Sequence, residues 1–215
     1  MFLDTIYFKV IFIILSYLLG SVLFGYVIAR ILKKEGFGKV DRPGTAGAGR
    51  QYGLKAGIAT FIFDFGKGLA VPLIGNALGL DNLTILIASV AVLVGHNWSV
   101  FLKFKGGGGI ACTMGFSAAL VPIHSLVVLA IVLTIGFTYK FTLHKKKHDI
   151  NPNVISSLLA VILMPFFTYF LFTNPRFYLI DDRLLVSMMY VVVFLIVVVK
   201  GIILHFMYRK VPTAN

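Results

Sequence analysis

Val94–Gly109, VGHNWSVFLKFKGGGG, joins the end of one long apolar run to the start of the next. It holds a histidine, the only tryptophan of the chain, two lysines and four consecutive glycines. Irregular backbone at membrane depth is tolerated only where it lines a cavity or is buried in protein, so this concentration of polar and flexible residues needs a reason. Glycines let backbone N–H groups approach a ligand with no side chain in the way. Lys103 and Lys105 add positive charge, and the pattern predicts a helix from Ile110. Glycine-rich backbone leading into a helix N-terminus favours an anion, above all a phosphate. The same residues also suit a plain turn anchored by Trp98 at the membrane interface. Neither a Walker A motif nor GxGxxG is present, because no strand precedes the stretch and the spacing is wrong.

The rest of the chain is apolar enough to make this a membrane protein. Of 215 residues, 59% are apolar and 13% charged. Ordinary soluble domains are roughly 45–50% apolar and about 25% charged. The net charge of +12 is a matter of topology, since most lysines and arginines fall in loops on one side. No nucleic-acid partner is expected. The single cysteine, Cys112, excludes an intramolecular disulfide and reads as a small packing residue. The first apolar run continues into GSVLFGYVIAR with no small-residue cleavage site, so it reads as a span and not as a signal peptide.

A helix needs about 20 residues to cross the bilayer core. Segment one covers about 7–32, with Gly20, Ser21 and Gly25 at small-residue spacing that allows close helix packing. Loop one, Lys33–Lys55, is so rich in glycine that no helix is expected to persist through it. Within it Arg42 and Arg50 flank PGTAGAG, which suits a phosphate or an anionic lipid surface. Segment two, about 56–78, carries Asp64 and Lys67 three residues apart, so they share a face and can pair. Ionisable residues inside a span are functional candidates, although a structural ion pair near the headgroups fits them equally. Segments three (about 83–102), four (from Ile110 to about 120), five (about 125–142), six (about 154–173) and seven (about 184–208) follow. His144 and His148 flank three lysines that would repel a cation, so no metal is expected there.

Fold class follows from this reading: an all-α integral membrane protein, residues 1–215 forming a single polytopic domain of seven transmembrane helices. Loops 33–55, 103–109 and 140–153 and the tail carry nearly all the lysines and arginines outside the spans. The other side holds only Lys9, Arg176 and Arg183. That bias predicts a cytoplasmic C-terminus, an outside N-terminus and both glycine-rich loops on the cytoplasmic side.

With both loops so placed, the chain resembles the bacterial acyl-phosphate-dependent glycerol-3-phosphate acyltransferases, the PlsY family. The family's GS-x-x-x-GY is matched by Gly20, Ser21, Gly25 and Tyr26, and its D-x-x-KG by Asp64, Lys67 and Gly68. Its GH and FKGGKG are matched by Gly95, His96, Phe104, Lys105, Gly106, Gly107 and Gly109, and its sixth-helix serine by Ser157. The first-loop motif is matched loosely: Pro43 and Thr45 replace a serine and an asparagine beside Gly44, Gly47 and Arg50. Gly108 stands in place of a second lysine, and the family's C-terminal polar motif is missing.

The resemblance implies a seven-helix enzyme that moves a fatty acyl group from acyl phosphate to glycerol 3-phosphate or a related polyol phosphate. It implies a multi-pass protein of the bacterial cell membrane, in contact with membrane lipids and using no metal or cofactor. Because an acyl phosphate already has a good leaving group, transfer needs positioning and donors for the oxyanion and the phosphate. No nucleophile with a base beside it stands out, which favours direct transfer. His96 and Lys105 are the catalytic candidates. Gly44, Thr45, Gly47, Arg50, Gly106, Gly107, Gly109 and Ser157 are the substrate-binding candidates. His96 fits a base or hydrogen-bond donor; a helix-end hydrogen bond fits it as well. A non-catalytic lipid- or anion-binding protein on the same scaffold is the competing reading. A transporter is disfavoured, because no internal repeat is visible.

Overall fold

The computed structural model describes residues 5–32, 37, 43–142, 163–166, 168–170 and 178–208, which are helical with no strand among them. The helices are α1 (Ile6–Ser21), α2 (Phe24–Ile31), α3 (Thr45–Tyr52), α4 (Leu54–Ala77), α5 (Asn82–Asn97), α6 (Ile110–Leu120), α7 (Pro122–Thr142) and α8 (Arg183–Tyr208). Arg42, His144, His148, Ser157 and most of segment six and the tail lie outside the described residues. The chain divides into two compact units, residues 1–116 with 196–215, and residues 117–195. The first unit carries both glycine-rich stretches.

Local sequence explains most boundaries. The Thr5 hydroxyl accepts from the Phe8 amide and starts α1 (3.4 Å). Asp81 caps α5 by accepting from the Thr84 amide (3.0 Å) and hydroxyl (2.6 Å). Its carboxylate also meets Lys9 Nζ at 2.7 Å and so ties the start of α5 to α1. That contact, together with Thr84, holds the Asp81 carboxyl well below the usual range. Pro122 opens α7 at the one helical position where its missing N–H costs nothing.

Two expectations are corrected. Loop one contains a helix, α3, in spite of its glycines. Tertiary packing overrides propensity here, because Gly47 and Ala48 are buried and a Cβ on Gly57 of α4 would sit 2.9 Å from Gly49 Cα. Segment one is not a single helix either: α1 and α2 meet at 43° across Val22–Leu23. Three helices, Leu54–Ala77, Asn82–Leu102 and Arg183–Leu204, are long and apolar enough to cross a membrane, or four with the bent pair, among the described residues. At 11 residues α6 is about 16 Å long, roughly half a bilayer core.

Helix packing places polar and small residues inward and bulky apolar ones outward. α1 buries Ser16, Gly20 and Ser21 while exposing Ile11, Ile14 and Leu15. Lipid drives no hydrophobic collapse, so close backbone contact must hold helices together. α1 and α5 meet where Gly20 packs on the Val92 carbonyl and Gly95 on the Tyr17 carbonyl. α4 and α6 meet in the same way, Gly68 on the Cys112 carbonyl and Gly115 on the Phe65 carbonyl.

At the centre of the first unit is Lys67, with a side chain only 2% exposed. Its ammonium donates to the Gly20 carbonyl (2.9 Å) and the Val22 carbonyl (2.8 Å) and lies 3.0 Å from Asp64 Oδ1. An ammonium has three donors, and all three are used. The Ser21 carbonyl between them accepts from Ser99 Oγ at 2.6 Å. Carbonyls released by the α1–α2 break are therefore satisfied by side chains from α4 and from the turn after α5. Lys67→Met should strand a buried carboxylate and two carbonyls, lowering stability by about 3–5 kcal/mol. Denaturant unfolding in micelles should read that loss, and the double variant Asp64→Asn/Lys67→Met should recover part of it. A Lys67→Met protein as stable as wild type would contradict this role.

Candidate functional site

Helix α5 ends at Asn97, five residues short of the expected end of segment three. A short 3₁₀ turn, Val100–Leu102, follows. Lys103 and Phe104 both adopt left-handed backbone, with φ of 51° and 60°. Such conformations cost about 1–3 kcal/mol each for non-glycine residues and persist only where the surroundings enforce them. Three contacts do so here. Tyr17 donates its hydroxyl to the Trp98 carbonyl (2.9 Å), Ser99 bonds Ser21, and the Phe104 amide donates to the Ser99 carbonyl (2.8 Å). The double reversal sends the glycines back across the C-terminal end of α5.

There the glycines meet His96 and Asn97 at a distance no side chain could tolerate. A Cβ on Gly106 would collide with the His96 and Asn97 carbonyls, and one on Gly107 with His96 Nε2. One on Gly109, whose φ is 80°, would collide with Leu93 and lie 2.5 Å from Asn97 Oδ1. Gly108 differs. A Cβ there would find only Leu204 Cδ1 at 3.8 Å, and its φ lies outside the left-handed region.

His96 lies beneath this loop, 3% exposed, with Nε2 against Gly107. Its Nδ1 faces Asp64 Oδ1 at 3.5 Å, and Asp64 in turn holds Lys67. Asp64 and Lys67 of α4 thus form a buried row with His96, Lys67–Asp64–His96, well inside the protein. Sequence reading paired Asp64 with Lys67 but missed the histidine. Nothing in the spacing of residues 64 and 96 carries that signal.

Loop one reaches the same place. The Pro43 carbonyl lies 2.9 Å from where a Cβ on Gly107 would sit. Pro43 and Gly44 lead directly into α3, as Gly107–Gly109 lead into α6. Two helix N-termini therefore begin side by side. In each, the fourth amide closes the first helical turn, Ala48 onto the Gly44 carbonyl and Thr113 onto the Gly109 carbonyl, both at 2.8 Å. The amides of Thr45, Ala46 and Gly47 and of Ile110, Ala111 and Cys112 precede those bonds and are the orphan donors of the two helices. Buried polar atoms without a protein hydrogen-bond partner gather here too: Thr45 Oγ1, Thr113 Oγ1, and both amide atoms of Asn97. Such atoms mark a place where a ligand or water belongs.

The expected site residues divide accordingly. Gly44, Thr45 and Gly47 stand at the start of α3, and Gly106, Gly107 and Gly109 line the approach to α6. The Gly107 amide is not a free donor, because it donates to the His96 carbonyl at 3.0 Å. Lys105 and Arg50 are exposed, Lys105 on the loop and Arg50 in the last turn of α3. Ser157 lies outside the described residues. Among the described residues no cluster of histidine, cysteine, aspartate or glutamate could hold a metal.

A family model described as glycerol-3-phosphate acyltransferase matches residues 10–207. The chain belongs to that family. It is 34% identical over 130 residues to glycerol-3-phosphate acyltransferase 4 of Dehalococcoides mccartyi strain CBDB1, a match covering 58% of this chain and 55% of that relative. Against glycerol-3-phosphate acyltransferase 5 of a second Dehalococcoides mccartyi strain it is 30% identical over 197 residues, 89% of this chain and 76% of the other. Against the glycerol-3-phosphate acyltransferase of Shouchella clausii it is 34% identical over 165 residues, 73% and 77%. Its fold is that of PlsY, an integral membrane glycerol 3-phosphate acyltransferase. The crystal structure of the glycerol 3-phosphate form superposes with a TM-score of 0.74 at 24% identity over 96% of both chains. The lysophosphatidic acid form gives 0.72 at 23% over 96% of this chain and 95% of that one.

Within the family's loop this chain makes a sharp steric prediction. Gly107→Ala should displace His96 or Pro43 and abolish most binding of a phosphate ligand, whereas Gly108→Ala should leave binding within about threefold of wild type. Equilibrium binding of glycerol 3-phosphate to the purified protein checks it. Equal tolerance at both positions would mean that the loop is not packed as described.

Proposed function

We propose that this chain transfers a fatty acyl group from acyl phosphate to glycerol 3-phosphate, or a related polyol phosphate, forming lysophosphatidic acid and inorganic phosphate. The observation that carries the reading is the juxtaposition of the α3 and α6 N-termini. Orphan amides and the positive ends of two helix dipoles favour phosphate together. Family membership supports glycerol 3-phosphate as the acceptor: the relatives are named for it, and the two PlsY crystal structures are of the glycerol 3-phosphate and lysophosphatidic acid forms.

In the reaction, the acceptor hydroxyl oxygen forms the new ester bond to the acyl carbon while the anhydride C–O bond breaks. The departing phosphate gains basicity and takes the hydroxyl proton. Lys105, exposed on the loop, neutralises phosphate charge as the bond breaks, and Arg50 adds a second cation from α3. Thr45, Gly44, Gly47, Gly106 and Gly109 shape the phosphate cradle. His96 lies beneath the loop with its Nε2 against Gly107. Its part is to hold Gly106–Gly107 from below, oriented by Asp64. The acyl chain lies along apolar helix surface open to the bilayer.

The same reading places a single domain of seven spans in the bacterial cell membrane, N-terminus outside, with the site at the cytoplasmic face. The lysine and arginine bias supports the orientation.

Lys105→Ala removes a charge-assisted hydrogen bond worth about 1.5–3 kcal/mol, a tenfold to hundredfold loss in kcat/KM. Palmitoyl phosphate and glycerol 3-phosphate given to the protein in lipid discs should show that loss at unchanged thermal stability. Wild-type protein that is folded yet transfers to no polyol phosphate would end the enzyme reading.

A further inference from the structure

Among the described residues the buried charges are Asp64, Lys67 and Lys200. Asp64 and Lys67 cancel in their ion pair, which leaves Lys200 as a buried cation in excess. It sits on α8, 2% exposed, in the middle of an apolar run. No carboxylate is paired with it and no acceptor is bonded to it among the described residues. Its recorded contact is the indole face of Trp98, 5.3 Å from Nζ to the ring centroid. An aromatic face softens the cost of burying an ammonium but leaves its charge in place. Charge inside a spanning helix is expensive and marks a functional site by default, a counter-ion for a bound ligand being one of its uses.

Position identifies the ligand. Leu204, one turn further along α8, lies 3.8 Å from the Cβ position of Gly108, so this face of α8 borders the glycine loop. Trp98, which faces Lys200, caps the C-terminal end of α5 two residues after His96. The excess cation is therefore beside the loop that leads into α6. Two helix N-termini offer hydrogen bonds there, and Lys200 supplies full charge.

We propose that Lys200 is a ligand for the phosphate group carried by one of the two substrates, closing the anion site from the side of α8. This rests on the acyltransferase reading for which phosphate compounds reach the site. The anion site itself can be tested without that reading. Trp98 is the only tryptophan and lies against Lys200, so its emission reports on the ammonium directly.

The full chain in lipid discs is titrated with glycerol 3-phosphate, with dodecyl phosphate in a second arm and glycerol as the uncharged control. Wild type should give a saturable change in Trp98 emission with a phosphate compound and none with glycerol. The arm that responds identifies which substrate's phosphate is held. Lys200→Met should bind that compound at least tenfold more weakly, and Lys200→Arg should stay within about threefold. A folded Lys200→Met with wild-type affinity overturns the proposal. If Lys200→Met does not fold, the wild-type arm decides, since Trp98 emission unchanged by both phosphate compounds also overturns it. Acyl transfer on the same samples separates the two ideas. Active wild type with an unaltered KM in Lys200→Met sinks the role of Lys200 alone. Lys200-dependent phosphate binding without any transfer sinks the enzyme reading and keeps the anion site.

Discussion

One ammonium group holds the first unit together. Lys67 has three donors, and each meets a fixed acceptor: the Gly20 carbonyl, the Val22 carbonyl and Asp64. The α1–α2 bend would otherwise expose unsatisfied carbonyls in a medium with no water to offer. Because Asp64 also faces His96, the same group is coupled to the end of α5. His96 in turn lies under Gly107, and Gly107 lies against Pro43 at the start of α3. A single buried charge thus reaches, by direct contacts, from the bend in the first span to both helix N-termini of the site.

Much of this was legible in the sequence. Apolar run lengths placed α4, α6 and α8 within two residues of their observed starts, since period and length suffice for helices in lipid. The Asp64–Lys67 pair followed from a spacing of three. Glycines and flanking cations marked both loops, and the motifs around them marked the family. Helix α3 was hidden because its glycines argue against a helix on propensity, and only their contact with α4 reverses that. The bend at Val22 was hidden because Gly20 and Ser21 before it also read as close-packing residues of one continuous span; Lys67, which holds the freed carbonyls, is distant in sequence. The closure of the glycine loop onto His96 depends on left-handed backbone at Lys103 and Phe104, two residues that rarely adopt it.

Gly108 and Lys200 illustrate how site chemistry can shift between elements. The loop position facing α8 carries no side chain and has room for one, while a buried cation stands on α8 nearby. Charge at a phosphate site is defined by where the nitrogen sits, and less by which helix or loop carries it. Sequence comparison by aligned position sees a missing lysine at 108, and only the packing brings Lys200 into view.

The central claim is that the starts of α3 and α6 act as one phosphate cradle. Hydrogen exchange of the backbone amides, followed by mass spectrometry with and without glycerol 3-phosphate, tests it most directly. Amides of Thr45, Ala46 and Gly47 and of Ile110, Ala111 and Cys112 should become protected together, at one saturating concentration. Protection confined to one of the two helices, or to neither while the ligand is bound, would contradict the account.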